Sequence, residues 1–148
     1  YRVQQKDRMY PTPSTWLENL WHAIDMIDKE IILVAHSVSC HLVSQRFLQN
    51  KDNKKIKAAL LVAPPNLDQW DTPTELLSFT PMIREKLPIR SILVASENDI
   101  YASIERSERL AHAWWSEFVS IGNKGHINTD AGFGDWPQGE KLLESLQD

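Results

Sequence analysis

The chain has 148 residues, a length that fits one domain with one sizeable core. Sixteen Lys and Arg against 20 Asp and Glu leave a formal net charge of −4, so no basic excess exists to neutralise phosphates, which argues against a nucleic-acid binder. Cys40, the single cysteine, rules out an intramolecular disulfide framework, and no apolar run approaches the ~18 residues of a membrane span.

The chain opens on Tyr1 rather than Met and carries no signal-like apolar segment. A processed form, a fragment or a missing beginning would each fit, and a cytoplasmic location is the expectation. Pro11 and Pro13 interrupt regular structure near the start. Thr15 with Glu18 three residues later reads as a capping box. Trp16, Leu17, Leu20, Trp21, Ile24 and Ile27 then recur at helical spacing, which predicts an amphipathic helix over roughly 15–28. Ile31 to Ala35 is a continuous apolar run suited to a strand buried on both faces. Val38, Leu42, Val43, Phe47 and Leu48 form a second helical stripe. Residues 50–57 read as a solvated polar turn.

Ala58 to Ala63 predicts a second strand, stopped by Pro64 and Pro65. Residues 66–88 are polar and proline-punctuated, consistent with a loop holding a short helix. Ser91 to Ala95 predicts a third strand, Ser103 to Trp115 a helix and Glu117 to Ile121 a short fourth strand. A glycine-rich loop comes next over 122–139, and a closing helix covers roughly 140–147. Alternation of this kind implies βαβ units, a mostly parallel sheet and helices on both faces: an α/β three-layer sandwich in a single domain over 1–148. Trp16 and Trp21 fit the core stripe, whereas Trp114 and Trp115 cannot both face inward.

Ligands of open parallel sheets sit at the carboxyl ends of the strands. The segments just beyond the expected strands carry Ser37, then Asp99, then His126. A serine hydroxyl is a weak nucleophile and needs an adjacent base. Histidine titrates near neutrality, and a carboxylate fixes its tautomer. The chain order matches the α/β-hydrolase triad. Each residue also has a plain structural reading. Ser37 could cap the next helix, Asp99 could be a turn residue, and His126 could be an exposed loop histidine. Asp68, Asp71 and Asp130 are alternative acids. The usual elbow, G-x-S-x-G, reads here Ala35-His36-Ser37-Val38-Ser39, with small residues in place of both glycines. Any left-handed backbone at those two positions would cost more than it does with glycine. His36 should point away from the imidazole partner and is read as a packing or hydrogen-bonding neighbour that lines the substrate pocket. Trp136 either walls that pocket or pins the glycine-rich loop. Cys40 reads as a small buried hydrophobe. His22, His41 and His112 lack ligand-type partners, and no phosphate-binding glycine motif occurs, so neither metal nor cofactor is expected.

Four longer words occur together: Leu33 to His41, Leu61 to Pro65, Val94 to Tyr101, and Gly125-His-Ile-Asn128 with Gly132 to Gly139 beyond it. In this combination the chain resembles the small serine hydrolases of the retinoblastoma-binding protein 9 and bacterial YdeN type, from about residue 3 to 146. The resemblance implies an α/β-hydrolase fold with nucleophile Ser37, acid Asp99, base His126 and the Val38 N–H as an oxyanion donor, acting on a small-molecule ester or amide. The family's elbow has a glycine where this chain has Ser39. The resemblance begins near the family's second strand, so the first strand and its glycine-containing loop, source of the other oxyanion donor, are expected to be missing. Loss of one such donor costs roughly 2.7–4 kcal/mol of transition-state stabilisation. An inner strand left unpaired would expose an edge and favour self-association through it. The alternative expectation is a weakly active or inactive member serving as a protein-interaction module.

Overall fold

The computed structural model describes residues 1–50 and 54–148; the expected polar turn over 50–57 falls partly on 51–53, outside the described residues. The first helix, α1, runs Pro13–Asp25, two residues earlier than expected at its start. Pro13 occupies the first turn, where its missing N–H costs nothing and its fixed φ suits a helix. Thr15 is therefore already inside the helix, and the Thr15–Glu18 capping box does not form. The cap is Thr12, whose carbonyl accepts from the Trp16 N–H at 3.0 Å while its side chain makes no capping bond. The helix buries Trp16, Leu17, Leu20 and Ile24 of the stripe read from the sequence, together with Ala23, while Trp21 is half-buried and Ile27 lies beyond the helix end.

Strand β1 spans Ile31–His36, helix α2 Ser39–Gln49 and strand β2 Ile56–Val62. A 3₁₀ turn at Thr74–Phe79 lies in the long connection after β2. Strand β3 spans Arg90–Ala95, helix α3 Ile104–Trp114, strand β4 Glu117–Ser120 and helix α4 Pro137–Ser145. The four strands lie side by side in chain order, and every neighbouring pair is parallel.

Side chains of a strand alternate between faces, and here the two faces serve two cores. Ala59, Leu61, Leu93 and Ala95 pack with α1, α2, α3 and with Leu67, Phe79, Met82 and Leu87 of the long connection. Ala58, Leu60, Val62, Ile92 and Val94 pack on the other face with Ile127, Leu146 and the apolar side of α4. Helices on both sides of one parallel sheet make the three layers. Each Leu or Ile so buried contributes roughly 1.5–3 kcal/mol, so the centre of the sheet is the most strongly held part of the fold.

The tryptophan pair divides as the helix geometry requires. Trp114 is fully buried and donates its Nε1–H to the Ile83 carbonyl at 2.7 Å. Trp115 ends α3 in a left-handed conformation, 70% exposed, with the Lys86 ammonium over its ring. Among the described residues β1 pairs with β2 alone, and Val34 is 60% exposed. A groove of about 1120 Å³ runs along that free side, between α1 and Leu143 and Leu146, and reaches Val38. Among the described residues no helix is long and apolar enough to cross a membrane.

Candidate active site

Ser37 comes immediately after β1 and takes φ +58°, a left-handed backbone that costs an L-residue about 1–2 kcal/mol. Neither Ala35 nor Ser39 is left-handed, so the penalty expected at the two glycine-replaced positions does not arise; the strain sits on the serine itself. Local bonds hold it there. The Ser37 N–H donates to the Val62 carbonyl at 2.9 Å, and the Ser37 carbonyl accepts from the Cys40 N–H at 3.0 Å. The Cys40 thiol lies under the turn, donating to the Ala35 and Val62 carbonyls at 3.5 and 3.4 Å. Burial pushes that thiol well above its ordinary pKa, so it stays protonated and serves packing. Val38 comes next with a helical backbone at the start of α2, where N–H groups have no intrahelical partner.

Asp99 lies on the turn after β3, its side chain only 4% exposed. Its Oδ1 accepts from the Tyr101 N–H at 2.9 Å, which leaves Oδ2 directed at His126. His126 lies on the loop after β4, and that loop is tied back to β3 by side chains. Asn98 Oδ1 accepts from the Gly125 N–H at 2.7 Å and from the Ser96 hydroxyl at 2.9 Å; Ser96 Oγ in turn accepts from the Lys124 N–H at 2.8 Å. Ile127, next to the histidine, has φ +50° and is buried in the second core. A β-branched residue in that region is strained, and the burial of its side chain opposes release.

These loops bring Ser37, Asp99 and His126 together. His126 Nδ1–H donates to Asp99 Oδ2 at 2.9 Å. A carboxylate only accepts, so this bond puts the proton of a neutral ring on Nδ1. Nε2 is then free to accept from the Ser37 hydroxyl, also at 2.9 Å. The arrangement can withdraw a proton from the serine and hold the resulting imidazolium beside a carboxylate.

The neighbours differ more from expectation. His36 does not point away from His126: the two rings are 4.9 Å apart, and His36 Nε2–H donates to the His126 carbonyl at 2.8 Å. It is a hydrogen-bonding neighbour that fixes the loop. Burial lowers its pKa; the carbonyl bond opposes, the His126 charge adds to the lowering, and Asp99 opposes it. Trp136 turns to the second core, edge-on to Phe133 at 5.8 Å, with its ring against Gly139. A Cβ at Gly139 would come within 2.1 Å of that ring, so a glycine is required there. Trp136 thus pins the loop. Of the alternative acids, Asp68 is committed to the Arg84 guanidinium and the Met82 N–H, while Asp71 and Asp130 are exposed. Sequence reasoning missed Tyr101, whose ring meets the His126 imidazole edge-on at 4.6 Å, and the bracing role of Ser96 and Asn98. The place of Ser96 and Asn98 between the strand and the acid was the one signal that could have found them; Tyr101 lies two residues beyond the acid.

The chain is similar to known serine hydrolases in sequence and fold. The family model described as serine hydrolase matches residues 1–145. Among solved structures, a YdeN-like hydrolase of Pectobacterium atrosepticum superposes with a TM-score of 0.84 at 27% identity, covering 98% of this chain and 74% of that one. The ydeN gene product of B. subtilis gives 0.75 at 19% identity, covering 97% and 80%. Est1E of Butyrivibrio proteoclasticus gives 0.64 at 17% identity, covering 93% and 72%. None of the curated proteins compared matches the chain.

Proposed function

The chain belongs to the serine hydrolase family, and from that premise we propose that it cleaves small carboxylic esters or amides through an acyl-enzyme on Ser37. His126 Nε2 takes the hydroxyl proton as Ser37 Oγ attacks the substrate carbonyl carbon. The carbonyl oxygen becomes an oxyanion and accepts from the Val38 N–H. Asp99 holds the His126 tautomer and stabilises the imidazolium that forms. Collapse of the tetrahedral adduct expels the alcohol or amine, which leaves with the proton from His126. A water molecule, deprotonated by His126, then attacks the acyl carbon, and Ser37 departs with its proton restored.

The observation that carries this reading is the continuous hydrogen-bonded line from Asp99 through His126 to Ser37, at 2.9 Å for each bond. Tyr101, 45% exposed, puts its ring edge-on to the imidazole at 4.6 Å and favours an apolar group on the substrate. The test is hydrolysis of p-nitrophenyl acetate and p-nitrophenyl butyrate by the full chain and by Ser37→Ala. Turnover by the full chain that is lost in the variant supports the proposal. Equal turnover by both would overturn the nucleophile assignment.

A further inference from the structure

A second cavity, of about 220 Å³, opens between the end of β2, the long connection and α3. Arg84, Arg106 and Arg109 line it, and no carboxylate does among the described residues. The protein as a whole carries a net charge of −4, so three guanidiniums on one small cavity run against the global balance. Arg84 is already engaged by Asp68. The charge of Arg109 acts on Glu105, one turn earlier on α3, which offsets part of it. Arg106 is exposed on the same helix face, three residues from Arg109. The remaining wall is Pro64, Pro65, Met82, Ala102 and Leu110, which lowers the local dielectric, while the buried Ser107 and Asn66 supply neutral polar groups.

We infer that this cavity is an anion site, distinct from the Ser37 site, that takes a phosphate dianion. Guanidinium groups match tetrahedral oxyanions with paired N–H donors, and a dianion balances Arg106 and the uncommitted part of Arg84 and Arg109. The volume is too small for a drug-sized ligand and suits one phosphate group. The site adjoins the candidate catalytic loops: Ala102 is next to Tyr101 in the chain, and the Asn66 N–H donates to the Tyr101 carbonyl at 2.9 Å.

The test is calorimetric titration of the full chain with inorganic phosphate at low salt, at a pH where phosphate is a dianion. Saturable binding at one site is expected. It weakens roughly tenfold or more for each guanidinium removed in Arg106→Gln and Arg109→Gln, and it weakens with added salt. Glu105→Gln, which lifts the competing negative charge, tightens it. Both arginines are exposed, so their replacement leaves the far-ultraviolet circular dichroism unchanged. Ser37→Ala binds phosphate as the full chain does, so the site stands or falls apart from the hydrolase proposal. Absence of saturable binding, or binding unchanged in the Arg106→Gln/Arg109→Gln double variant, would overturn the inference.

Discussion

Among the described residues Ser37 leaves a strand paired on one side, whereas Asp99 leaves one paired on both. Strand β1 is only partly covered along most of its length, and Val34 faces outward, while Ser91 to Ala95 of β3 are all buried. The serine side is fixed by its own turn: a left-handed residue, one N–H to Val62, and a thiol bridging two carbonyls. The histidine side is fixed by side chains reaching between loops, through Ser96, Asn98, Tyr101 and Ile127. The Ser37–His126 pair is thus positioned by two strategies. The restraints on the serine are short-range and come from its own turn and from β2. The longer loop, although Ile127 in it is also left-handed, takes further restraints from partners on the turn after a buried strand.

That contrast can be broken at four points. Asp99→Asn has the largest expected effect, because an amide there favours the wrong imidazole tautomer. Ester turnover should fall about 10⁴-fold with the fold intact, and a loss smaller than tenfold in steady-state kinetics would remove Asp99 from the account. The second is pH-dependent stability on the serine side. His41, in the first turn of α2, donates to the Pro65 carbonyl at 2.7 Å, and burial pushes its pKa down to about 4, opposed by that bond. The unfolded histidine titrates near 6.5. The contribution of His41 to stability is therefore complete above about 6.5 and is lost as pH falls toward about 4, because the unfolded chain then binds the extra proton. The expected loss is a few kcal/mol, read from urea midpoints across that range. His36 adds to it in the same direction. His41→Gln should flatten the dependence, and an unchanged slope would refute this origin.

The third point is Asn98→Ala, which frees the Gly125 N–H and the Ser96 hydroxyl. Turnover should fall roughly tenfold, in kcat more than in KM, for bonds worth about 1–1.5 kcal/mol each. A change confined to melting temperature would make Asn98 a structural residue only. The smallest effect is on the strained turn. Ser37→Gly should be more stable than Ser37→Ala by about 1 kcal/mol, since glycine accepts a left-handed backbone that alanine does not. Equal stabilities by denaturant titration would show that the turn carries no strain.

Much of this is legible in the chain. Three of the four strands announce themselves as short apolar runs, and residues from the segments after β1, β3 and β4 are the ones that meet, because a parallel sheet gathers its loops at one end. The Thr15–Glu18 cap fails because Pro13 opens the helix first. His36 escapes a reading in which side chains of the turn simply alternate, because its partner is a backbone carbonyl on a loop 90 residues away. Trp136 fits two roles in sequence, and only the close approach to Gly139 decides between them. Asn98 is marked only by its place between strand and acid, and the contacts of Tyr101 and Ile127 depend on loop conformation, which has no periodicity in sequence.

The most direct test is intact-mass analysis after treatment with a fluorophosphonate, combined with peptide mapping. The account predicts a single adduct on Ser37, absent in Ser37→Ala and strongly slowed in His126→Ala. An adduct that persists in Ser37→Ala, or that maps to another residue, would contradict it.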